Sequence, residues 1–274
     1  MEADDRGHAI TVRAFGVTVA VRASDAALLA KLIARLPPGS QGVNSNETDV
    51  RCSVSRHDPE ASSDPNGSEP TYVVTGEETR VETTDESEAL DLFESAVRFD
   101  VAVSATEWLF VHAGVVGWRG HAIVIPAASM QGKSQFVDAL VRAGADYYSD
   151  EFAVLDRDGC VHPFRIAASL REPAGRARRV VLAASPDPRP LPIAVVVSTR
   201  YEAGASWEPR QGTPGEAAMA LLANTVRARI APAETLRVLA RAAEGAILLD
   251  GPRGEAADTA HRLLDFSASR LSGA

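Results

Sequence analysis

The segment that most constrains the fold of this chain is residues 123–134, with the sequence IVIPAASMQGKS. An apolar run comes first, a loop of small residues ending in Gly-Lys-Ser follows, and an amphipathic stretch continues over 135–143. This order of strand, loop and helix is typical of a phosphate-binding loop, in which backbone N–H groups and a helix N-terminus face an anion. In such a loop the Lys133 ammonium reaches the β- and γ-phosphates, and the Ser134 hydroxyl ligates Mg²⁺.

The loop departs from the full phosphate-loop pattern at two positions. Ala127 replaces the first glycine, and Met130 stands where phosphate-loop kinases often have another. Glycine is favoured at such positions because it adopts positive φ freely and lets the backbone approach phosphate closely. The pattern therefore predicts phosphate binding and leaves catalytic competence open.

Bulk composition narrows the class of protein. A chain of 274 residues is long enough for one substantial domain and a small one. The net charge of −9 argues against nucleic acid as a partner, because phosphate backbones select basic surfaces. Neither a signal-peptide core nor a bilayer-length apolar segment is found, and Cys52 and Cys160 lack metal-site spacing. We expect a cytoplasmic protein with two reduced thiols and no membrane partner.

Hydrophobic periodicity and turn residues predict an α/β fold: a P-loop-containing, mixed and twisted sheet flanked by helices, preceded by a small N-terminal α/β module. We predict the module over 1–85 and the nucleotide-binding domain over 86–274. The strands predicted for the module lie at 9–22 (as two strands or a bent hairpin), 49–56, 71–75 and 79–83, and its helix at 25–35.

The predicted nucleotide-binding domain opens with a helix whose first turn is acidic. Its helices are predicted at 86–104, 135–143, 213–224, 232–244 and from about 254, and its strands at 109–116, 121–126, 147–155, 160–164, 180–183, 193–198 and 246–249.

A pair of carboxylates, Asp150 and Glu151, lies where the strand after the loop helix would return beside the loop. Phosphoryl transfer needs a metal ligand and a group that orients or deprotonates the acceptor. Adjacent side chains on an extended strand point to opposite faces, so one carboxylate can face Mg²⁺ and Ser134 unless the strand is distorted. Aromatic neighbours on both sides of the pair predict that this strand is buried.

In order and spacing, these pieces resemble the HPr serine kinase/phosphorylase family and its HPr-kinase-like relatives. The resemblance covers about residues 109–172. It rests on the strand end Val-His-Ala-Gly at 111–114, the loop at 127–134, and Gly-Ala-Asp-Tyr-Tyr-Ser-Asp-Glu at 144–151.

The resemblance implies an ATP- and Mg²⁺-dependent kinase. Asp150 matches the family's general base and Glu151 its metal-binding aspartate, so Ser134, Glu151 and Asp150 are the expected Mg²⁺ ligands. His112 matches a histidine near the catalytic carboxylate, which makes Asp150, His112 and Lys133 the expected catalytic group. The nucleotide-binding residues expected in and beside the loop are Ala127, Ala128, Ser129, Met130, Gln131, Gly132, Lys133, Ser134 and Gln135.

Charge on the transferred phosphoryl group calls for a further cation, and Arg171 and Arg200 are the candidates at strand ends. The family's downstream acidic metal ligand has no counterpart in register, since Glu172 is displaced, which leaves a second metal site open.

The leading hypothesis is a kinase that transfers phosphate to a serine hydroxyl of a peptide or small protein. Two alternatives stay open. One is a degenerate, non-catalytic nucleotide-binding or scaffold protein, in which Ala127 and Met130 record lost activity. The other is a nucleotide hydrolase or small-molecule kinase. Neither the acceptor nor homo-oligomer formation follows from the sequence.

Overall fold

A computed structural model describes residues 7–58, 69–126, 132–171, 177–184 and 189–271 of the chain. These residues form a mixed α/β protein, as the sequence predicts. Contacts divide the chain into two compact units, Met1–Glu107 and Trp108–Ala274. None of the helices in the described ranges is long and apolar enough to cross a bilayer.

The first unit contains one sheet and two helices. Its strand order is β3-β1-β2-β4-β5-β6, with β2 and β4 parallel and the other neighbours antiparallel. Phe15 and Gly16 both have positive φ, which closes β1 and β2 into the predicted hairpin. The elements are β1 (His8–Ala14), β2 (Val17–Ala23), α1 (Ala26–Ile33), β3 (Gln41–Gly42), β4 (Val50–His57), β5 (Thr71–Thr75), β6 (Arg80–Thr83) and α2 (Glu86–Ser104).

The contacts of helix α2 group it with the first unit, whereas the boundary predicted from sequence lies before this helix, at residue 85. Its apolar stripe includes Leu90, Phe93 and Val97, which are buried, and the helix packs against β4, β5 and β6. The acidic first turn around its N-cap, Asp85, marks where the helix begins but carries no information about which sheet it covers.

The second unit is built on one large sheet in the order β11-β10-β7-β8-β14-β16-β15, with β9 also paired to β7. The strands of this unit are β7 (Leu109–Trp118), β8 (His121–Pro126), β9 (Asp146–Ser149), β10 (Phe152–Leu155), β11 (Val161–His162), β12 (Ala168–Arg171), β13 (Ala177–Val180), β14 (Ile193–Tyr201), β15 (Arg210–Gly212) and β16 (Ile247–Arg253). Strands β12 and β13 pair with each other in a separate two-stranded sheet. Its helices are α3 (Lys133–Arg142), α4 (Pro214–Leu222), α5 (Pro232–Ala242) and α6 (Ala256–Leu271).

Helices cover both faces of this sheet. On one face, alternate residues of β7 and β8 pack with α4 and α5 around Leu221 and Leu239. On the other, the intervening residues pack with α3 and α6 around Phe136 and Leu263. Strands β8, β14 and β16 are mutually parallel, so their carboxyl ends share one edge of the sheet. Ligands of open α/β sheets bind outside this edge.

Candidate active site

The segment predicted from sequence to be a phosphate loop lies between β8 and α3, and the structure contains both of these predicted flanking elements. Strand β8 ends at Pro126 and α3 begins at Lys133. The predictions for Ala127, Ala128, Ser129, Met130 and Gln131 lie outside the described residues.

Helix α3 starts from a left-handed glycine. Gly132 is its N-cap, with φ 76° and no side-chain cap, and the Gly132 carbonyl accepts the first helical hydrogen bond from Phe136 at 3.1 Å. The first N–H groups of a helix have no intrahelical acceptor and lie at the positive end of the helix dipole. The N-terminus of α3 therefore offers amides to an anion.

Strand β7 approaches α3 closely at a second glycine. A Cβ on Gly114 would lie 2.5 Å from Val137 Cγ2 and 3.2 Å from Lys133 Cγ. Because Gly114 has no side chain, the Lys133 stem can run along β7, and its Nζ reaches 3.1 Å from His112 Nε2. The packing of β7 on α3 thus determines where the lysine ammonium lies.

Lys133 and His112 form a buried pair in which the histidine is neutral. Lys133 is 9 % exposed; burial lowers its pKa, and the charges of Asp150 and Glu151 oppose that change. Burial, with help from the nearby Lys133 charge, lowers the pKa of His112 to about 4. At neutral pH, Nε2 of His112 accepts from the ammonium, and the other ring nitrogen carries the proton.

The carboxylate pair sits in a break between two strands and not inside one strand as predicted. Strands β9 and β10 both pair with β7, and Asp150 and Glu151 lie between them. The Ser149 hydroxyl oxygen accepts hydrogen bonds from the backbone N–H groups of Glu151 at 3.1 Å and Phe152 at 3.0 Å. This local side-chain bonding replaces ladder bonds and turns the backbone, as serine favours.

Asp150 lies beside the first turn of α3. It is 8 % exposed, and its carboxylate accepts hydrogen bonds from the Ser134 hydroxyl and the Ser169 backbone N–H. Burial raises its pKa to about 6, against the lowering effects of Ser134 and Lys133. Its Oδ1 atom is buried and has no hydrogen-bond partner among the described residues. A buried acceptor in this state is costly, and a bound ligand or ion would satisfy it.

The chemistry of these donors fits Mg²⁺. Hard divalent cations take carboxylate and hydroxyl oxygens, which Asp150, Glu151 and Ser134 supply. The described part of the chain contains no cluster of three His, Cys, Asp or Glu side chains placed to hold a metal ion. Proteins usually bind Mg²⁺ through one or two carboxylates, with water and substrate phosphates completing the coordination.

Three further residues were predicted to bind nucleotide: Gln135, Arg200 and Arg171. Gln135 is exposed on α3. Arg200 ends on the surface of β14, with its side chain 72 % exposed and 3.7 Å from Glu202. Arg171 lies in β12, paired with Ala177, and its side chain is outside the described part of the structure. Glu172, considered for a second metal, is also outside it.

Sequence reasoning missed Arg253, a buried arginine at the α3 N-terminus. It ends β16, and its Nη2 donates to the Gly132 carbonyl at 3.0 Å. The predicted strand ended at Leu249; Gly251 and Pro252, which follow it, are residue types that usually mark turns. In the structure both stay in register with β14. No pattern within β16 itself could have indicated that Arg253 meets a glycine so distant along the chain.

No protein-family model matches this chain, and a search of curated proteins finds no match either. The function of this chain is therefore argued from its sequence, its fold and the geometry of the candidate site.

Proposed function

We propose that this protein is a P-loop phosphotransferase that uses ATP and Mg²⁺ to phosphorylate a hydroxyl group, with a serine of a peptide or small protein as acceptor. The observation that supports this most is the grouping of Lys133, Ser134 and Asp150 at the N-terminus of α3, where Asp150 Oδ1 is buried without a partner among the described residues. The resemblance to HPr-kinase-like proteins supports the same chemistry.

The residues of α3 would bind the phosphates of ATP. The amides of its first turn and the Lys133 ammonium lie on the side of positive potential, and His112 orients the ammonium without adding charge. Ser134, Glu151 and Asp150 would hold Mg²⁺, which when bound neutralises charge on the β- and γ-phosphate oxygens.

Asp150 would take the proton of the acceptor hydroxyl. A pKa of about 6 leaves the carboxylate ionised at neutral pH, yet more basic than an ordinary aspartate. General bases are most effective when their pKa lies near the working pH. The same burial that raises this pKa also excludes water, which favours transfer to a bound hydroxyl.

Lysine usage in this chain adds independent support for the phosphate site. The sequence has 28 basic residues of the Lys and Arg types, of which only Lys31 and Lys133 are lysines. Arginine and lysine are not interchangeable, because lysine places a compact charge on a flexible stem. A chain that otherwise uses arginine nearly throughout has a lysine at the position where a phosphate loop requires one.

The first test is binding of Mg²⁺·ATP. We expect wild-type protein to bind in the micromolar range, about −8 kcal/mol, by calorimetric titration, and Lys133→Ala to bind at least tenfold more weakly, a loss of about 1.4 kcal/mol or more. Lys31→Ala is the matched control, because Lys31 is half exposed and pairs with Glu86, and both residues belong to the first unit, which does not contain the candidate site.

A labelling experiment locates the bound phosphates directly. An acyl-phosphate derivative of ATP transfers its acyl group to a lysine amine near the phosphates and releases ATP. Mass spectrometry should find the label on Lys133, with excess ATP preventing it, whereas any label on Lys31 should be insensitive to ATP. Equal, ATP-insensitive labelling of both lysines would contradict the proposed site.

Catalysis is tested with serine-containing peptides and γ-labelled ATP. Transfer of label to serine that Asp150→Asn abolishes is the expected result. ATP turnover without any acceptor would instead indicate a hydrolase, and ATP binding with neither reaction would indicate a non-catalytic nucleotide-binding protein.

A further inference from the structure

Arg253 is held in a site that is unusually closed for an arginine. It is 2 % exposed, and its guanidinium carbon lies 4.9 Å from the Phe136 ring centre and 5.6 Å from that of Tyr201. Its Nη1 donates to the Gly254 carbonyl at 3.1 Å, and its Nη2 donates to the Gly132 carbonyl at 3.0 Å. The side chain is therefore clamped between two aromatic faces and two carbonyls.

This position is electrostatically unfavourable without an anion. A buried charge normally requires an opposite charge close by. Burial lowers the pKa of Arg253, and the charge of the nearby Glu255 carboxylate offsets only part of that change. Arg253 also faces the N-terminus of α3, which is the positive end of that helix. Aromatic faces and carbonyl dipoles offset part of the cost, and a bound polyphosphate would offset more.

The Gly132 carbonyl is the atom through which Arg253 acts on the site. That oxygen also accepts the Phe136 N–H at 3.1 Å. Because a trans peptide is planar, its C=O and the N–H of the next residue point in opposite directions. Holding the Gly132 carbonyl toward the helix therefore directs the Lys133 N–H out of the helix N-terminus.

Gly132 suits this contact for two reasons. Its φ of 76° lies in the left-handed region, which disfavours residues with a side chain, and a Cβ there would lie 2.7 Å from Arg253 Nη2. The glycine of Gly-Lys-Ser is thus matched to the arginine as well as to the loop.

We propose that Arg253 is a positioning residue for the phosphate site, which presets the Gly132–Lys133 peptide so that the first amides of α3 face the polyphosphate of ATP. Its Nη1 and Nη2 atoms both donate to backbone carbonyls, so Arg253 acts through the Gly132–Lys133 peptide and not by contacting phosphate. This inference rests on the proposed function, since it assumes that the N-terminus of α3 binds polyphosphate.

The test compares affinities for two ligands in four proteins. Calorimetry gives the Kd of Mg²⁺·ATP and of inorganic triphosphate for wild type, Arg253→Lys, Arg253→Gln and Arg210→Lys. Arg210→Lys is the matched control, because Arg210 is an exposed arginine on β15 that contacts Asp250 on β16, the strand that also carries Arg253. Thermal unfolding of each ligand-free protein shows whether it is folded at the assay temperature.

We expect Arg253→Lys to weaken both ligands by a similar factor of about tenfold or more, because lysine cannot bond two carbonyls in the guanidinium geometry and the preset peptide is lost. Arg210→Lys should bind like wild type. In ligand-free protein, the ¹⁵N and ¹H shifts of the Lys133 amide should move in Arg253→Lys and not in the control. If Arg253→Gln does not fold, Arg253→Lys decides the question.

Each outcome separates the inference from the proposed function. If wild type binds ATP and triphosphate and Arg253→Lys binds both equally well, with only a lower unfolding temperature, then Arg253 is structural and the inference is overturned while the proposed function stands. If wild type binds neither ligand, the phosphate site itself is absent and both are rejected.

Discussion

Asp150 is a buried carboxylate whose ionisation lowers the stability of the folded protein. Its carboxylate is buried beside Ser134, and one of its oxygens is without a partner among the described residues. Burial raises the pKa of Asp150 from an ordinary value of 3.8 to about 6 in the folded protein. The folded protein therefore binds the Asp150 proton more tightly than the unfolded chain does. Between pH 4 and 6 the folded state therefore binds more protons, and its stability falls as the pH rises.

Replacing Asp150 by asparagine should stabilise the protein and abolish phosphotransfer. The loss of stability from ionising Asp150 is complete above pH 6 and amounts to at most about 3 kcal/mol, a limit set by the pKa difference. We expect Asp150→Asn to unfold at a higher temperature than wild type at pH 7.5 and at a similar temperature at pH 4. Differential scanning calorimetry at the two pH values measures this.

Asp158→Asn provides the control for that experiment, because Asp158 is exposed and pairs with Arg241 on the surface. It should leave both the unfolding temperature and activity nearly unchanged. An Asp150→Asn protein that is less stable than wild type at pH 7.5 would show that its carboxylate is better satisfied than its burial indicates.

Close packing between β7 and α3 is the element-level feature that places Lys133. Gly114 lets Val137 and the lysine stem lie against the strand backbone. On the same strand, His112 accepts from the lysine ammonium, so β7 sets both the distance of the helix and the direction of its lysine. Interiors are packed densely enough that one added methyl group at such a contact is felt.

Gly114→Ala should shift α3 and weaken both folding and ATP binding. The added Cβ would sit 2.5 Å from Val137 Cγ2, an overlap that typically costs about 1–3 kcal/mol. Val137→Ala removes both γ-methyl groups of Val137, including the one that the new Cβ would meet. The double variant Gly114→Ala/Val137→Ala should therefore be more stable than the sum of the two single effects predicts. Thermal unfolding and the Kd of Mg²⁺·ATP are measured for all three variants.

Gly215→Ala in α4 is the control, since the nearest atom to a Cβ there is 3.9 Å away. It should be neutral or slightly stabilising. Additive effects at Gly114 and Val137 would mean that the two positions do not compete for the same space.

At the scale of the whole molecule, the chain divides after Glu107 into two units, and the apolar faces of the helices in each unit pack on the sheet of that unit. The first unit buries the stripe of α2. The second contains two apolar clusters, one on each face of its sheet, and every described residue of the candidate site. Each unit therefore has the core that a separately folding domain requires.

We expect a fragment of residues 108–274 to fold and to bind Mg²⁺·ATP about as tightly as the full chain. A fragment of 86–274, cut at the boundary predicted from sequence, retains α2 without its sheet and should expose Phe93 and Val97. Circular-dichroism melting and size-exclusion chromatography compare the two, and 86–274 should aggregate more. If 86–274 is the better-behaved fragment, α2 belongs with the second unit.

The sequence predicted most elements of this fold because their signals are local. Positive-φ turn residues, helix caps such as Asp25 and the Thr213 capping box, and period-two alternation act within a few residues of each other. Errors appeared where a local pattern could not show whether a distant segment pairs with the predicted strand. The strand predicted over 180–183 is wrong, since β13 ends at Val180 and Val181 is 87 % exposed, so an apolar run there does not extend the ladder.

The candidate site divides in the same way. The Gly-Lys-Ser segment, the following helix and the carboxylate pair are continuous in sequence, and their spacing was enough to predict them as one site. The break at Asp150 was not predicted, because it depends on the Ser149 hydroxyl replacing backbone bonds.

Local sequence patterns were thus sufficient to predict the mixed α/β class and the strand and helix at 121–126 and 133–142, and to name Lys133, Ser134 and Asp150 as candidate site residues. The assignment of α2 to a sheet, the neutral His112 beside the lysine, and the link from Arg253 to Gly132 came from the folded chain. These depend on residues far apart in sequence that come together only when helices pack on sheets, and propensity and periodicity carry no information about which distant residues those are.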